Sequence, residues 1–142
     1  MSSEDDVRAA SAKFYAAINA MIMGDSSSMA GAWWHEPTVT TMHPIGGCNT
    51  GWDAVADSFA QVAKLSSGGR VALSDQRIAA GGDMAYELGQ EDGSLTLAGT
   101  PVKIDHRVTN VYRLKDGEWR MVHHHTDTSP AMLELVAKLQ KA

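Results

Sequence analysis

The chain reads as an α+β domain, on three observations. Helical spacing is confined to the first 65 residues and the last dozen, β-branched and alternating segments fill the stretch between, and two glycine-centred turns fold those segments back antiparallel. Helices packed on one face of a curved sheet would leave a conical cavity whose concave wall is the place for chemistry.

The elements follow in order. Ser3, with Glu4, Asp5 and Asp6 behind it, predicts an N-cap and an acidic first turn. Val7, Ala10, Phe14, Ala17, Ile18 and Met21 then recur at helical spacing up to a stop at Gly24. Asp25 and Ser26 open a short second helix to about Ala32. Trp33–His43 is expected as a strand entered through Pro37, and Pro44–Gly51 as a glycine-rich loop. Trp52–Leu65 returns to helical spacing and ends at Ser66-Ser67-Gly68-Gly69. Four strands follow, Val71–Ala79, Asp83–Gln90, Val102–Leu114 and Glu118–Thr126, joined pairwise through Gly81-Gly82-Asp83 and Lys115-Asp116-Gly117. Ser129-Pro130 caps a last helix with Met132, Leu135, Val136 and Leu139 along one stripe.

Length and composition bound the function. With 142 residues, 44% hydrophobic and 20% charged, the chain is expected to form one domain, 1–142, with a real core and no repeat or linker. A net charge of −5 and no basic stripe argue against nucleic acid as a partner. No basic-then-apolar leader and no run of about 20 apolar residues argue against a membrane. Cys48 is the single cysteine, which fits a reducing, cytoplasmic setting.

Six histidines are the unusual feature. His43 ends the first strand beside the glycine loop, His106 sits in the penultimate strand, and His123, His124 and His125 in the last. Strand alternation puts His123 and His125 on one face and His124 on the other. A two-residue Asp116-Gly117 turn would set His123 and His125 on the face carrying His106. A three-residue turn with Gly117 as a bulge would instead set Val122, His124 and Thr126 there. Histidines at i and i+2 plus one from a neighbour could hold zinc. Supporting carboxylates are few, with Asp105 and Asp127 as candidates, and the single cysteine sits in another region, so no metal is expected.

A neutral imidazole at His43 suits proton transfer near neutral pH; the plainer reading is a ring that ties the loop to backbone. Trp34 and Trp52 are candidate pocket wall, as are the hydroxyls of Tyr86 and Tyr112. Eight methionines suit an adaptable apolar interior. Gly46-Gly47 lacks the spacing of a phosphate loop, and no nucleophile elbow is present.

Taken together, the Trp33-Trp34-His35-Glu36 entry, the His43-Pro44-Ile45-Gly46-Gly47…Gly51-Trp52 segment and the ending Trp119-Arg120-Met121-Val122-His123-His124-His125 resemble the SnoaL-like branch of the NTF2-like superfamily over essentially the whole chain. That resemblance implies a cystatin-like cone with an enclosed apolar pocket, no cofactor, and a homodimer through the sheet. Fold alone does not choose among the reactions of that group. In the similar ketosteroid isomerases an aspartate precedes proline before the glycine loop, so their general base maps onto His43. Their oxyanion-hole tyrosine maps onto Ala17, and their protonated acid finds no partner here. The similar kinase association domain carries pocket arginines at the positions of Asn110 and Thr126, so its anion site is not implied. That match does favour the bulged register, with His124 facing inward.

The expectation is therefore a cofactor-free, isomerase- or hydrolase-type enzyme acting on a small apolar molecule. His43 is the expected general base, His106 and His124 join it as catalytic residues, and Asn110, Tyr86, Trp34, Tyr112, Thr126 and Trp52 contact the ligand. A non-catalytic binding or dimerisation module is the rival. Val111, Trp119 and Met121 are expected outward on the sheet, where they would favour a dimer.

Overall fold

The computed structural model of the chain describes residues 2–141 and shows an α+β cone. Helix α1 (Ser3–Ile22) and the single-turn α2 (Met29–Ala32) come first, then strands β1 (Thr40–His43) and β2 (Gly46–Thr50). Helix α3 (Trp52–Leu65), strands β3 (Ser66–Gly81), β4 (Met84–Leu97), β5 (Thr100–Lys115) and β6 (Glu118–Thr126), and helix α4 (Pro130–Lys141) complete it. One six-stranded sheet has the order β2-β1-β6-β5-β4-β3, antiparallel except where β1 lies parallel to β6.

Several boundaries differ from expectation, each for a local reason. The N-cap is Ser2, whose hydroxyl accepts from Asp5 N at 3.2 Å, one residue ahead of Ser3. Asp25 caps a turn instead of a helix, its carboxylate accepting from Ser27 N at 2.9 Å, so α2 starts only at Met29. Trp33 makes a lone bridge to Met121, and Pro37 keeps the chain irregular until Thr40. The expected glycine loop is largely strand: Gly46–Thr50 folds back on β1, with His43 paired to Gly46. Ser66–Gly69 does not break the chain either. Ser66 Oγ donates to Val62 O at 2.7 Å and closes α3 while its backbone already starts β3.

Bending of the sheet rests on glycine. Gly69 on β3 faces Leu95 and Gly93 on β4 faces Val71, at φ +128° and +150°; a Cβ on Gly69 would lie 2.1 Å from Ser94 O and one on Gly93 1.8 Å from Arg70 O. Only a residue without a side chain permits that approach.

The inner face of the sheet packs on α1 and α3. Along β5, Val102, Ile104, His106, Val108, Asn110 and Tyr112 all point inward, the alternation of a half-buried strand. Phe14 of α1 is wholly buried, with its ring edge-on to Trp33 at 6.3 Å and to Phe59 at 6.4 Å.

The β5–β6 register corrects one sequence argument while keeping its outcome. Lys115 pairs with Glu118 across a two-residue turn in which Asp116 and Gly117 both have positive φ (51° and 77°). The register shift occurs later, where Tyr112 faces Met121 but Val111 faces His123, leaving Val122 as the extra residue. A bulge at Val122 puts Trp119 and Met121 on the inner face together with His124 and Thr126. Trp119 and Met121 are accordingly buried, not outward as expected; Val111 alone of the three faces out, half-buried.

Candidate functional site

One apolar cavity opens between α1, α3, α4 and the sheet. It encloses about 80 Å³ of space for the centres of water-sized molecules, several times what one water needs. Ile18, Met21, Phe59, Leu95, Ile104 and Met132 give its greasy wall; His43, His106, His124 and Glu91 give its polar side. The cavity is thus lined by all three histidines that the sequence singled out for catalysis.

β1 ends at His43, which is 7% exposed and set edge-on to Phe59 at 4.9 Å. Its Nε2 lies 2.8 Å from Ser58 Oγ, and that hydroxyl donates to Val55 O at 2.6 Å. Serine has one proton and spends it on the carbonyl, so His43 Nε2 must be the donor. Burial, then the neighbouring His124, pushes this imidazole down to about 3, with Glu91 pulling weakly the other way. The ring is held to Ser58 and not to backbone, as the plainer reading had it.

β6 supplies His124, 2% exposed, its ring 6.5 Å from that of His43. His124 Nδ1 lies 2.6 Å from Asn110 Oδ1. Asn110 in turn donates through Nδ2 to Glu87 Oε1 at 2.9 Å and to Tyr15 Oη at 3.1 Å. Burial lowers His124 to about 4, opposed by Glu91. Both rings are neutral at neutral pH.

Across β4 and β5, Glu91 pairs with His106. His106 Nε2 and Glu91 Oε1 are 2.7 Å apart, and Tyr15 donates its hydroxyl to Glu91 Oε2 at 2.8 Å. Burial alone would raise the Glu91 carboxyl. The hydrogen bond from His106 and the nearby imidazoles overcome that and hold it below its usual value, so it is ionised. Burial and the facing Glu91 hold the Tyr15 phenol far above its usual range, as a permanent donor.

Behind this layer lies a second carboxylate. Glu87, wholly buried, accepts from Tyr112 Oη at 2.7 Å, Asn110 Nδ2 at 2.9 Å and Gln76 Nε2 at 2.6 Å. Gln76 reaches Arg8 at the surface.

The six expected ligand contacts are not on the cavity wall. Asn110 and Tyr112 stand one layer behind it as parts of the Glu87 network. Thr126 is buried with its hydroxyl unpartnered. Tyr86 is 50% exposed on the outer face of the sheet. Trp34 donates through Nε1 to Arg113 O at 2.8 Å beneath the Arg120 guanidinium, and Trp52 stacks on His35 at 4.3 Å.

Sequence reasoning looked for carboxylates in Asp105 and Asp127. Asp105 accepts from Gln90 at the surface, and Asp127 is clamped by Arg107 at 2.9 and 3.1 Å. It missed Glu87, Glu91 and Ser58. A signal did exist, since Ala85, Glu87, Gly89, Glu91, Leu95 and Leu97 share one face of β4 at period two, with two acids where apolar residues belong. Among the described residues, no group of three or more histidine, cysteine or acidic side chains is set to hold a metal ion. Nor is any described helix long and apolar enough to cross a membrane.

The model of the SnoaL-like domain matches residues 7–131, nearly the whole cone. The chain belongs to the SnoaL-like family. Solved structures agree on the architecture of this SnoaL-like domain. A candidate dehydratase of the NTF2-like family from Streptomyces avermitilis superposes with a TM-score of 0.76 at 23% identity, over 89% of this chain and 95% of that one. An NTF2-like superfamily protein from Salmonella enterica gives 0.77 at 17%, over 88% and 89%. A candidate calcium/calmodulin-dependent kinase type II association domain from Thiobacillus denitrificans gives 0.69 at 27%, over 86% and 94%. The fold is NTF2-like. No curated protein matches this SnoaL-like sequence.

Proposed function

We propose that the domain is a cofactor-independent enzyme that moves a proton on a compact, mostly apolar molecule held in the cavity. The observation that carries this reading is the pair His43 and His124. Both are neutral rings, 6.5 Å apart, each fixed through one nitrogen and each with no protein partner for the other among the described residues. In this reading His43 is the general base, and its Nδ1 takes a proton from substrate carbon. The same proton can return to another carbon, which is isomerisation. Alternatively it leaves with a hydroxyl as water, so that a C–H and a C–O bond break and a C=C bond forms. The candidate dehydratase among the similar structures favours the second course. Ionised Glu91, held in place by donors from His106 and Tyr15, puts a negative charge at the cavity edge that steadies an imidazolium as it forms.

The test is conversion of a panel of cyclic and aryl alcohols and ketones, followed by proton NMR in deuterated water. Wild-type protein is expected to incorporate deuterium or eliminate water with at least one compound, and His43→Ala to slow this about 10²–10⁴-fold. Near-normal rates in that variant would remove His43 from the mechanism.

A second reading, a ligand-binding module without chemistry, is favoured by how thoroughly Asn110, Glu87, Glu91 and Tyr15 satisfy one another. Binding with neither conversion nor exchange would favour it. In either case we propose a homodimer through the outer face of the sheet, where Met84, Tyr86 and Leu88 are exposed beside Val111.

A further inference from the structure

The hydrogen-bond polarity of the cavity follows from counting protons. His43 spends its single N–H on Ser58, because the serine proton is committed to Val55 O. His124 spends its N–H on Asn110 Oδ1, because Asn110 turns its amide nitrogen to the Glu87 carboxylate and to Tyr15. Tyr15 gives its proton to Glu91, and Glu91 has none to give. His106 gives Nε2–H to Glu91, and its Nδ1 is sealed off from the open space of the cavity. What these cavity-lining residues have left is a set of acceptors: His43 Nδ1 and His124 Nε2, neither of them sealed off as His106 Nδ1 is, and the spare lone pairs of the Glu91 oxygens. No side chain named on the polar wall has a proton left to offer.

We infer that the cavity selects an apolar molecule carrying a neutral hydroxyl, a hydrogen-bond donor, over one presenting a carbonyl, ether or carboxylate oxygen. An acceptor group placed here would be desolvated against lone pairs with nothing to replace its water, and an anion would meet Glu91 as well. A hydroxyl fits both nitrogens, as donor to either. Ammonium is disfavoured by the cost of stripping water from a full charge, which two neutral ring nitrogens and a carboxylate already holding two donors repay only in part. The inference rests on the cavity being the ligand site and names the ligand chemistry that the proposed reaction requires, since elimination of water needs a hydroxyl. It also departs from the ketosteroid-isomerase comparison, where donors face an oxyanion.

Matched binding measurements test it. Protein labelled in methionine methyl groups is titrated with cyclohexanol, cyclohexanone, methoxycyclohexane and cyclohexylammonium, and shifts of Met21 and Met132 on the cavity wall locate the site. Cyclohexanol is expected to bind at least about tenfold tighter than the other three. Equal or tighter binding of the ketone, the ether or the ammonium ion overturns the donor inference and leaves the cavity as the site. Failure of all four to move those methyls overturns both readings. Imidazole ¹⁵N spectra of the free protein give a ligand-independent check. His43 should be the Nε2–H tautomer and His124 the Nδ1–H tautomer; the reverse at either ring removes the basis of the inference.

Discussion

Asn110 fixes the state of His124. Its amide nitrogen is claimed by Glu87 Oε1 at 2.9 Å, so its oxygen must face His124 Nδ1, where it accepts at 2.6 Å. A wholly buried carboxylate on β4 thereby decides, through one amide, which nitrogen of a histidine on β6 is left bare toward the cavity.

Replacing Asn110 by Leu should be costly. The swap leaves His124 Nδ1–H without a partner in a dry interior, worth about 1–3 kcal/mol, and takes from Glu87 Oε1 one of its two donors, leaving Tyr112 Oη alone. Urea unfolding at pH 7.5 is expected to show a loss of at least about 2 kcal/mol. A neutral outcome would mean the network is not desolvated.

Acid should destabilise the fold before ordinary carboxylates titrate. His43 and His124 have folded values of about 3 and about 4, below the 6.5 of an exposed imidazole. Below pH 6.5 the unfolded chain binds protons that the folded one refuses, so stability falls as pH falls from about 6.5 toward 4. At pH 5 the two rings together cost about 4 kcal/mol relative to pH 7.5, from about 1.4 kcal/mol per unit for each. Glu91, depressed in the fold, adds a loss only below the usual glutamate range. Urea midpoints across pH 5–8 check this, and His43→Gln should flatten the slope by about one proton.

Activity should keep its full value well into acid. If neutral His43 is the base, kcat/KM stays level from pH 8 down to about pH 5, since the ring protonates only near 3. An acid limb centred on 6.5 would mean that a solvated imidazole does the work.

Phe14 links the helices to the site, with its ring 5.0 Å from that of His124. Phe14→Ala should cost about 3–5 kcal/mol by cavity formation and loosen His124. Thermal unfolding measures the first; broadening of the His124 ring signals measures the second.

The sheet face should govern assembly. Leu88→Lys together with Tyr86→Lys, both on exposed positions, should convert dimer to monomer in light scattering while leaving the helical circular dichroism intact. An unchanged mass, or a monomeric wild type, contradicts a dimer through this face.

What could be read in the amino acids was whatever depends on near neighbours. α1, α3, α4 and the two long hairpins follow from apolar spacing, caps and turn glycines, and His43 stands out because it ends a strand beside a glycine pair. β2 was hidden because Gly46-Gly47 reads as a breaker, and only its pairing with β1 makes it a strand. Placement of the bulge at Val122, not at Gly117, depends on β5 already being in position, which no local signal records. The expected ligand contacts lie off the cavity wall for a related reason. Tyr112 and Asn110 point inward as alternation allows, but Glu87 holds both behind the wall, and two glutamates on an inner face are unexpected until their donors from α1 and β5 are seen.

The claim on which the rest stands is that His43 and His124 are dry, neutral rings at the wall of a hollow. Following their ring Cε1–H signals by NMR from pH 8 to pH 4 tests it without any substrate. Both signals are expected to hold nearly still to about pH 5, with His124 near its midpoint and His43 only starting to move at pH 4. A midpoint near 6.5 for either ring would place it in bulk water and leave the cavity without its chemistry.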